Sequence, residues 1–376
     1  MKVLWIASWF PSVQFPFNGD FVERMGRAVS DHSEIYLIHV QEGPIKEVDV
    51  FEEFDDYFRV IITVPKSQRW NYFFRFLNLY RGIKKGIKII KDKGINPEVV
   101  HLHVIYPLGI FCLFDSFLRS KQLVITEHWT RFRHVNKDKL PSVAKWIGIL
   151  ATRKAHSILT VNKYLSNDMQ QYGMKGNYQV IPNVVDCTLF KPGEKKNQKE
   201  FTFLHVSTLT DSVKNVSGII MAFNKVLKKN GHIKLQLIGD GDDRHKHEKT
   251  VQILGITDSV DFMGEMPHTA VASAMQKADC LVHFSNYENL PCVILEAMAT
   301  GLSIIATETG GIGDWVDEDV GILVHPRDEE GLTNAMQKIL SNVYKYDPKK
   351  IREKVLLKCS REVIGEKIAN VYKSLF

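Results

Sequence analysis

Asn286-Tyr287-Glu288-Asn289-Leu290-Pro291-Cys292-Val293-Ile294-Leu295-Glu296-Ala297-Met298 sets two carboxylates around the start of a predicted helix, directly behind the apolar run Cys280-Leu281-Val282-His283-Phe284. The run has the character of a buried strand, whereas Pro291 suits a first helical turn and the spacing of Val293, Leu295 and Met298 is helical. Glu288 then falls in the turn and Glu296 inside the helix. Backbone N–H groups from Leu290 to Val293 lack intrahelical partners, and the positive end of the helix dipole favours an anion there. Carboxylates on either side add acceptors for hydroxyl groups, so Glu288, Asn289, Leu290, Pro291 and Glu296 form a candidate site for a phosphate-bearing, polyhydroxylated ligand. The same two glutamates, eight residues apart, also fit an ordinary surface turn followed by one helix charge.

Outward from this stretch, strands and helices alternate in both halves of the chain. Short apolar, β-branched runs stand at Lys2 to Ala7, Ile35 to Val40, Val60 to Val64, Val99 to Val104, Leu123 to Thr126 and Ser157 to Val161. They resume at Thr202 to Val206, Lys234 to Ile238, Val260 to Phe262, Cys280 to Phe284, Ser303 to Ala306 and Gly321 to Val324. Alternation of this kind predicts parallel sheets covered by helices on both faces, an α/β class. The polar, turn-rich stretch from Lys191 to Glu200 is the linker candidate. The expected organisation is two doubly wound domains, 1–190 and 191–359, with the ligand between the C-terminal ends of their strands and a last helix, 360–376, able to cross back to the first domain.

A chain of 376 residues exceeds what one hydrophobic core ordinarily supports, and 44% hydrophobic with 24% charged residues is a globular composition. No run reaches the roughly 18 to 20 continuous apolar residues of a membrane span, and Met1-Lys2-Val3-Leu4-Trp5-Ile6-Ala7-Ser8 looks like a first strand instead of a signal peptide. The five cysteines are scattered, without a C-x-x-C pair, so neither a disulfide framework nor a zinc cluster is expected. The cytoplasm, free or at the inner membrane face, is the expected compartment. Forty-nine Lys and Arg against forty-three Asp and Glu leave a modest +6, and with no recognised module nucleic acid is a poor partner.

The order of motifs resembles the family-4 glycosyltransferases, retaining enzymes of the GT-B fold, over nearly the whole chain. Besides Glu288 to Met298, the matching pieces include Phe17-Asn18-Gly19-Asp20-Phe21-Val22, His101-Leu102-His103, Thr126-Glu127-His128, Val180-Ile181-Pro182-Asn183-Val184-Val185-Asp186, Lys214-Asn215, Leu237-Ile238-Gly239-Asp240-Gly241, Phe262-Met263-Gly264 and Gly310-Gly311-Ile312. The resemblance implies two Rossmann-like domains and a nucleotide-diphosphate sugar as donor. It assigns Glu288 to hydroxyls of the donor sugar, Glu296 to the ribose, Gly19 and Lys214 to the diphosphate, and His128 to the sugar. The family usually carries an arginine a few residues before the lysine, and Ser207 to Val213 contains none. Either Lys214 and helix amides carry the diphosphate charge, or donor affinity and turnover are reduced.

The residues taken by themselves allow those roles and plainer ones. Gly19 lies between the first strand and a helix opening at Asp20 or Phe21, where a side chain would obstruct a phosphate; a tight turn asks for the same residue. Lys214 follows the first strand of the second half, within reach of an anion or simply solvated. His128 ends a strand at the edge where open α/β sheets place ligands, as does His103; each also reads as a hydrogen-bonded structural histidine. His245 and His247 read as solvated residues of a polar loop, with no third ligand spaced for a metal. Asp240-Gly241-Asp242 mimics a D-x-D metal motif, but its glycine-rich turn points to a nucleotide-binding loop containing Gly239 and Gly241, so no metal and no cofactor is expected.

The acceptor side is less determined. Gln68 to Lys91 mixes aromatic with basic residues and contains no acid. It reads either as an amphipathic helix covering the first sheet or as a peripheral contact with an anionic membrane, which would favour a lipid-linked glycan acceptor in surface polysaccharide assembly. Two rival classes share the architecture: a nucleotide-sugar epimerase or sugar phosphorylase, and a non-catalytic sugar- or membrane-binding protein.

Overall fold

The computed structural model describes residues 1–67, 72–134, 138, 140–194, 200–341 and 346–376. These divide into two compact units, one comprising Met1–Val184 with Arg361–Phe376 and the other Val185–Ser360.

In unit 1 the described strands are β1 (Lys2–Ala7), β2 (Glu34–Gly43), β3 (Asp49–Phe54), β4 (Phe58–Pro65), β5 (Val99–His103), β6 (Gln122–Glu127), β7 (Ser157–Thr160) and β8 (Tyr178–Val180). Its helices are α1 (Asp20–Ser30), α2 (Tyr72–Asp92), α3 (Gly109–Phe114), α4 (Ser116–Arg119), α5 (Ser142–Lys154), α6 (Lys163–Gln171) and the last helix of the chain, α14 (Arg361–Lys373). The strands follow the order β3-β4-β2-β1-β5-β6-β7-β8, parallel except for the antiparallel β3. Val3, Leu4, Trp5, Ile6 and Ala7 of β1 are all buried, as a central parallel strand covered on both faces requires. β3 carries no apolar alternation in sequence: Asp49-Val50-Phe51-Glu52-Glu53-Phe54 is a largely exposed, charged edge, the usual protection against unwanted pairing.

α2 occupies residues 72–92 of the basic-aromatic stretch; positions 68–71 lie outside the described residues. Leu79, Ile83, Ile87 and Ile90 form its buried stripe, and the helix packs on β2 and β4. The stripe recurs at helical spacing, which is the amphipathic reading of this segment.

α14 packs on α1, where Arg361 pairs with Asp31 (2.8 Å) and Ile364, Ile368 and Tyr372 enter the core beside Met25, Ala28 and Val29. The Trp5 indole N–H donates to the Tyr372 hydroxyl (3.1 Å), which lies 2.5 Å from His101 Nδ1, while His101 Nε2 meets Thr126 Oγ1 at 2.7 Å. Burial keeps the His101 imidazole neutral, with its pKa lowered to about 3. One phenol therefore ties the C-terminal helix to β1 and β5.

Unit 2 contains β9 (Phe201–Val206), β10 (Ile233–Ile238), β11 (Val260–Gly264), β12 (Cys280–His283), β13 (Ser303–Thr307) and β14 (Gly321–Val324), paired in parallel in the order β11-β10-β9-β12-β13-β14. Its helices are α7 (Asp211–Lys214), α8 (Val216–Leu227), α9 (Arg244–Leu254), α10 (His268–Lys277), α11 (Cys292–Ala299), α12 (Glu329–Ser341) and α13 (Pro348–Cys359). Numbered from β9, the order is 3-2-1-4-5-6, the doubly wound dinucleotide-fold arrangement.

The division between the units falls at Val184, ahead of the expected 190. The Val185 N–H donates to Cys359 O (2.9 Å), and the Arg352 guanidinium donates to the carbonyls of Cys187 and Phe190 (2.7 Å each) and of Ala299. Gln276 likewise donates to Lys191 O (3.0 Å), so the start of the expected linker is already bound into unit 2; its residues 195–199 lie outside the described ones. These contacts come from helices far along the chain and leave no local signature in residues 185–191.

Tyr372→Phe is expected to destabilise unit 1 by about 1–3 kcal/mol, because it strands the buried Trp5 N–H and removes the partner of His101 Nδ1. The urea midpoint of the unit 1 transition measures it; an unchanged midpoint would refute the tie.

Candidate functional site

In unit 2 the winding reverses between β9 and β12, and open α/β sheets bind ligands beyond the C-terminal ends of the strands at such a point. The loop after β9 leads into the single turn of α7, ending on Lys214, while the loop after β12 carries residues 284–291 to α11. The Asn286 N–H donates to Val213 O (2.8 Å) and the Asn286 side-chain amide to Ser212 O (3.0 Å), which stitches the two loops together. Lys214 Nζ consequently reaches Glu288 Oε1 at 2.5 Å. Thr307 Oγ1 donates to Ser285 O (2.7 Å) and the Gly311 N–H to Asn289 O (2.6 Å), so the loop after β13 fixes the same segment from its other side. Pro291, extended at φ −68° and ψ 129°, immediately precedes α11, and Glu296 is buried within that helix.

A second donor converges on Glu288. His283, the last residue of β12, places Nε2 3.0 Å from the same Oε1. A carboxylate only accepts, so Nε2 carries the hydrogen. Burial alone would push the Glu288 carboxyl up, but the Lys214 ammonium and His283 outweigh it and hold the group well below the ordinary carboxylate range. Burial lowers the His283 pKa against the pull of Glu288, leaving a neutral imidazole. Beneath it lies His205, rings 6.0 Å apart and 28° from parallel. The His205 Nδ1–H donates to Val282 O (2.8 Å), and its Nε2 meets Ser207 Oγ at 2.7 Å.

Gly239 adjoins this group after β10. Its φ is +125°, and a Cβ there would come within 1.8 Å of Ser207 O, so only glycine permits the approach. Gly241 donates its N–H to Asp240 Oδ1 (2.7 Å), and Arg244 holds Asp240 Oδ2 at 3.2 Å. Asp240 thus caps its own turn and pairs with Arg244.

The site residues of unit 1 form a separate group. Gly19 precedes α1 at φ +74°, where a Cβ would lie 2.5 Å from the carbonyl carbon of Trp9. Packing against Trp9 and Phe10 is enough to require glycine here. His128, just past β6, is buried with Phe21 4.2 Å from its ring, and burial lowers its pKa to about 3. His103 is enclosed by the rings of Trp5 (4.0 Å) and His101 (4.1 Å), a core position. Glu127, between the two strand ends, accepts N–H groups from Ile105, His128 and Trp129 at 2.8–3.0 Å; burial nevertheless pushes its pKa up to about 7.

One expectation is corrected. His245 and His247 lie on helix α9 and not in a loop; His245 is 95% exposed, whereas His247 is fully buried with Nδ1 3.4 Å from Ser217 Oγ. Positions i and i+2 of a helix face nearly opposite ways, so a shared solvated fate was excluded once the segment coiled. Sequence reasoning also passed over His283, although a titratable residue in the otherwise apolar Cys280-Leu281-Val282-His283-Phe284 was a visible anomaly.

Two family models match consecutive parts of the chain: Glycosyltransferase Family 4 over residues 21–189, and Glycosyl transferases group 1 over residues 188–355. The chain belongs to the family-4, group 1 glycosyltransferases, with two Rossmann-like domains of the GT-B type. It is 24% identical over 350 residues to the alpha-monoglucosyldiacylglycerol synthase of Streptococcus pneumoniae, covering 87% of this chain and 76% of that one. Among solved structures it is similar to sucrose-phosphate synthase from Thermosynechococcus elongatus, with a TM-score of 0.79, 20% identity and coverage of 100% and 99% of the two chains. It is also similar to Anabaena HepE in complex with UDP, at 0.76, 17% and 100% of both chains.

The buried histidines predict acid sensitivity. His39 is lowered to about 4, and His101, His128 and His205 to about 3, in each case chiefly by burial. Folded, they remain neutral; unfolded, each takes a proton below its ordinary value of 6.5. Their contribution is complete above pH 6.5 and falls with pH by up to about 1.4 kcal/mol per unit for each histidine. Urea midpoints should drop steadily from pH 6.5 to 4; a flat profile would contradict neutral burial.

Proposed function

We propose that this glycosyltransferase is a retaining enzyme that moves a sugar from a nucleotide-diphosphate sugar to a glycan or lipid-linked acceptor, in surface polysaccharide or glycolipid assembly. The observation that carries the reading is the convergence of Lys214 and His283 on Glu288 at the reversal point of a 3-2-1-4-5-6 sheet.

Cleaving a sugar–phosphate bond builds negative charge on the departing diphosphate, so transition-state stabilisation is greatest where a cation meets that charge. Lys214 supplies the cation by turning from Glu288 to the diphosphate, and backbone N–H groups before and within the first turn of α11 assist it. Glu288, kept ionised, accepts hydrogen bonds from sugar hydroxyls, and Glu296 from the ribose. Asn289, Leu290, Pro291, Gly239 and Gly241 shape the backbone around the nucleotide. Retention follows when the acceptor attacks the face that the phosphate leaves, its proton passing to the leaving phosphate oxygen. The pairing of Asp240 with Arg244 supports a metal-independent reaction. A similar fold solved with UDP supports a nucleoside diphosphate as the leaving group.

The acceptor reading draws on α2. Phe73, Phe74 and Phe76 are exposed near its start, and Arg81, Lys84, Lys85 and Lys88 are exposed beyond them. Aromatic and basic side chains on one amphipathic helix suit an anionic lipid surface at the inner membrane face. A relative named for a diacylglycerol glycolipid supports a lipid-linked acceptor. Among the described residues no helix is long and apolar enough to cross a membrane.

The direct test is transfer. Incubation with UDP-, GDP- and ADP-sugars, with and without EDTA, should yield a glycosylated acceptor from one donor class in both conditions. Glu288→Gln and Lys214→Met should each lower kcat/KM by about 10- to 100-fold, the effect of losing one hydrogen bond to a charged group. Epimerised donor without transfer, or binding without turnover, would replace this reading with one of its rivals, and loss with EDTA would overturn metal independence. Separately, the protein should float with vesicles containing anionic lipid at low salt and less so after Phe73→Ser/Phe74→Ser; no flotation would remove the membrane contact.

A further inference from the structure

We propose that His283 is a positioning residue that holds the Glu288 carboxylate in its working orientation while Lys214 turns to the leaving diphosphate. The role rests on the reading of this site as a nucleotide-sugar site.

Without ligand, Lys214 and His283 donate to one oxygen, Glu288 Oε1, at 2.5 and 3.0 Å. A lysine ammonium on a four-carbon stem reorients readily, whereas an imidazole on a buried strand does not. When the ammonium moves, a carboxylate that is almost fully buried loses a donor on that oxygen, and its rotamer is no longer held from the lysine side. The His283 N–H stays. β12 is buried along its whole length, the His205 ring lies beneath, and Ser285 Oγ sits 3.1 Å from the same nitrogen. His205 is itself anchored by its bond to Val282 O, so the support runs from Glu288 through His283 to the floor of the sheet. Catalytic groups must be held to fractions of an ångström, and rigid elements do this better than loops. Glu288 is a loop residue; its bond to His283 gives it a strand's rigidity.

The test uses the full chain with His283→Leu, which removes the donor, and His283→Gln, whose side-chain amide can place an N–H near the position of Nε2. Steady-state transfer from the accepted nucleotide sugar is read together with calorimetric binding of UDP, GDP or ADP and with the unfolding midpoint. His283→Leu should lower kcat/KM for the nucleotide sugar by about 10- to 100-fold while the Kd of the nucleoside diphosphate changes by less than about twofold, and His283→Gln should recover most of the loss. Three results would overturn the role: wild-type transfer that His283→Leu leaves intact, a Gln variant as impaired as the Leu variant, or a loss matched by equally weakened nucleoside diphosphate binding or by unfolding. A wild-type chain that binds no nucleoside diphosphate would instead fail the site reading itself, and this role with it.

Discussion

The candidate site depends on one largely buried ion pair, Lys214 with Glu288, made between the turn of α7 and the loop after β12, which approach because β9 and β12 are neighbours in the sheet though far apart in sequence. Such a pair is costly to bury, and removing either partner strands a charge, typically at about 3–5 kcal/mol. A pair with this little exposure is better explained by use than by stability. With Glu288 held ionised by Lys214 and His283, a carboxylate acceptor and a mobile cation stand ready where the sheet reverses direction.

The histidines show how the fold divides polar work. His205 and His283 lie in strands of unit 2, His101 and His103 in β5 of unit 1, and burial keeps all four neutral. Neutral imidazole can bridge buried groups without the penalty of a buried charge, provided that its tautomer is fixed by what it faces. Val282 O fixes His205, and Glu288 fixes His283. The network around Tyr372 does the corresponding service for unit 1, tying the last helix to its first strand. Chain continuity therefore does not define that unit: its final helix arrives after the whole of unit 2.

Much of the fold was legible because parallel sheets buried on both faces advertise themselves as apolar β-branched runs. Lys2 to Ala7 was read with the observed limits, and the runs of unit 2 fell within a residue or two. β3 and β8 were not legible, the one because an exposed edge carries charge where an interior strand carries valine, the other because it has three residues. Glu288 in the turn and Glu296 in the helix followed from local pattern. His247 was misread, since a histidine among charged residues looks solvated until helix geometry turns one of two neighbours inward.

By itself the sequence determined the α/β class, the two-unit organisation, the family and the chemistry available to the site, because periodicity, turn residues and ordered motifs are local properties of the chain. Tertiary structure alone decided that Lys214 meets Glu288, that His283 shares the same oxygen, that Gly239 must pass close to Ser207, and that Tyr372 closes unit 1 from the far end of the chain. These are contacts between residues 32 to 367 positions apart, or bond directions set by a strand's end, and neither is encoded in any window of sequence short enough to show a pattern.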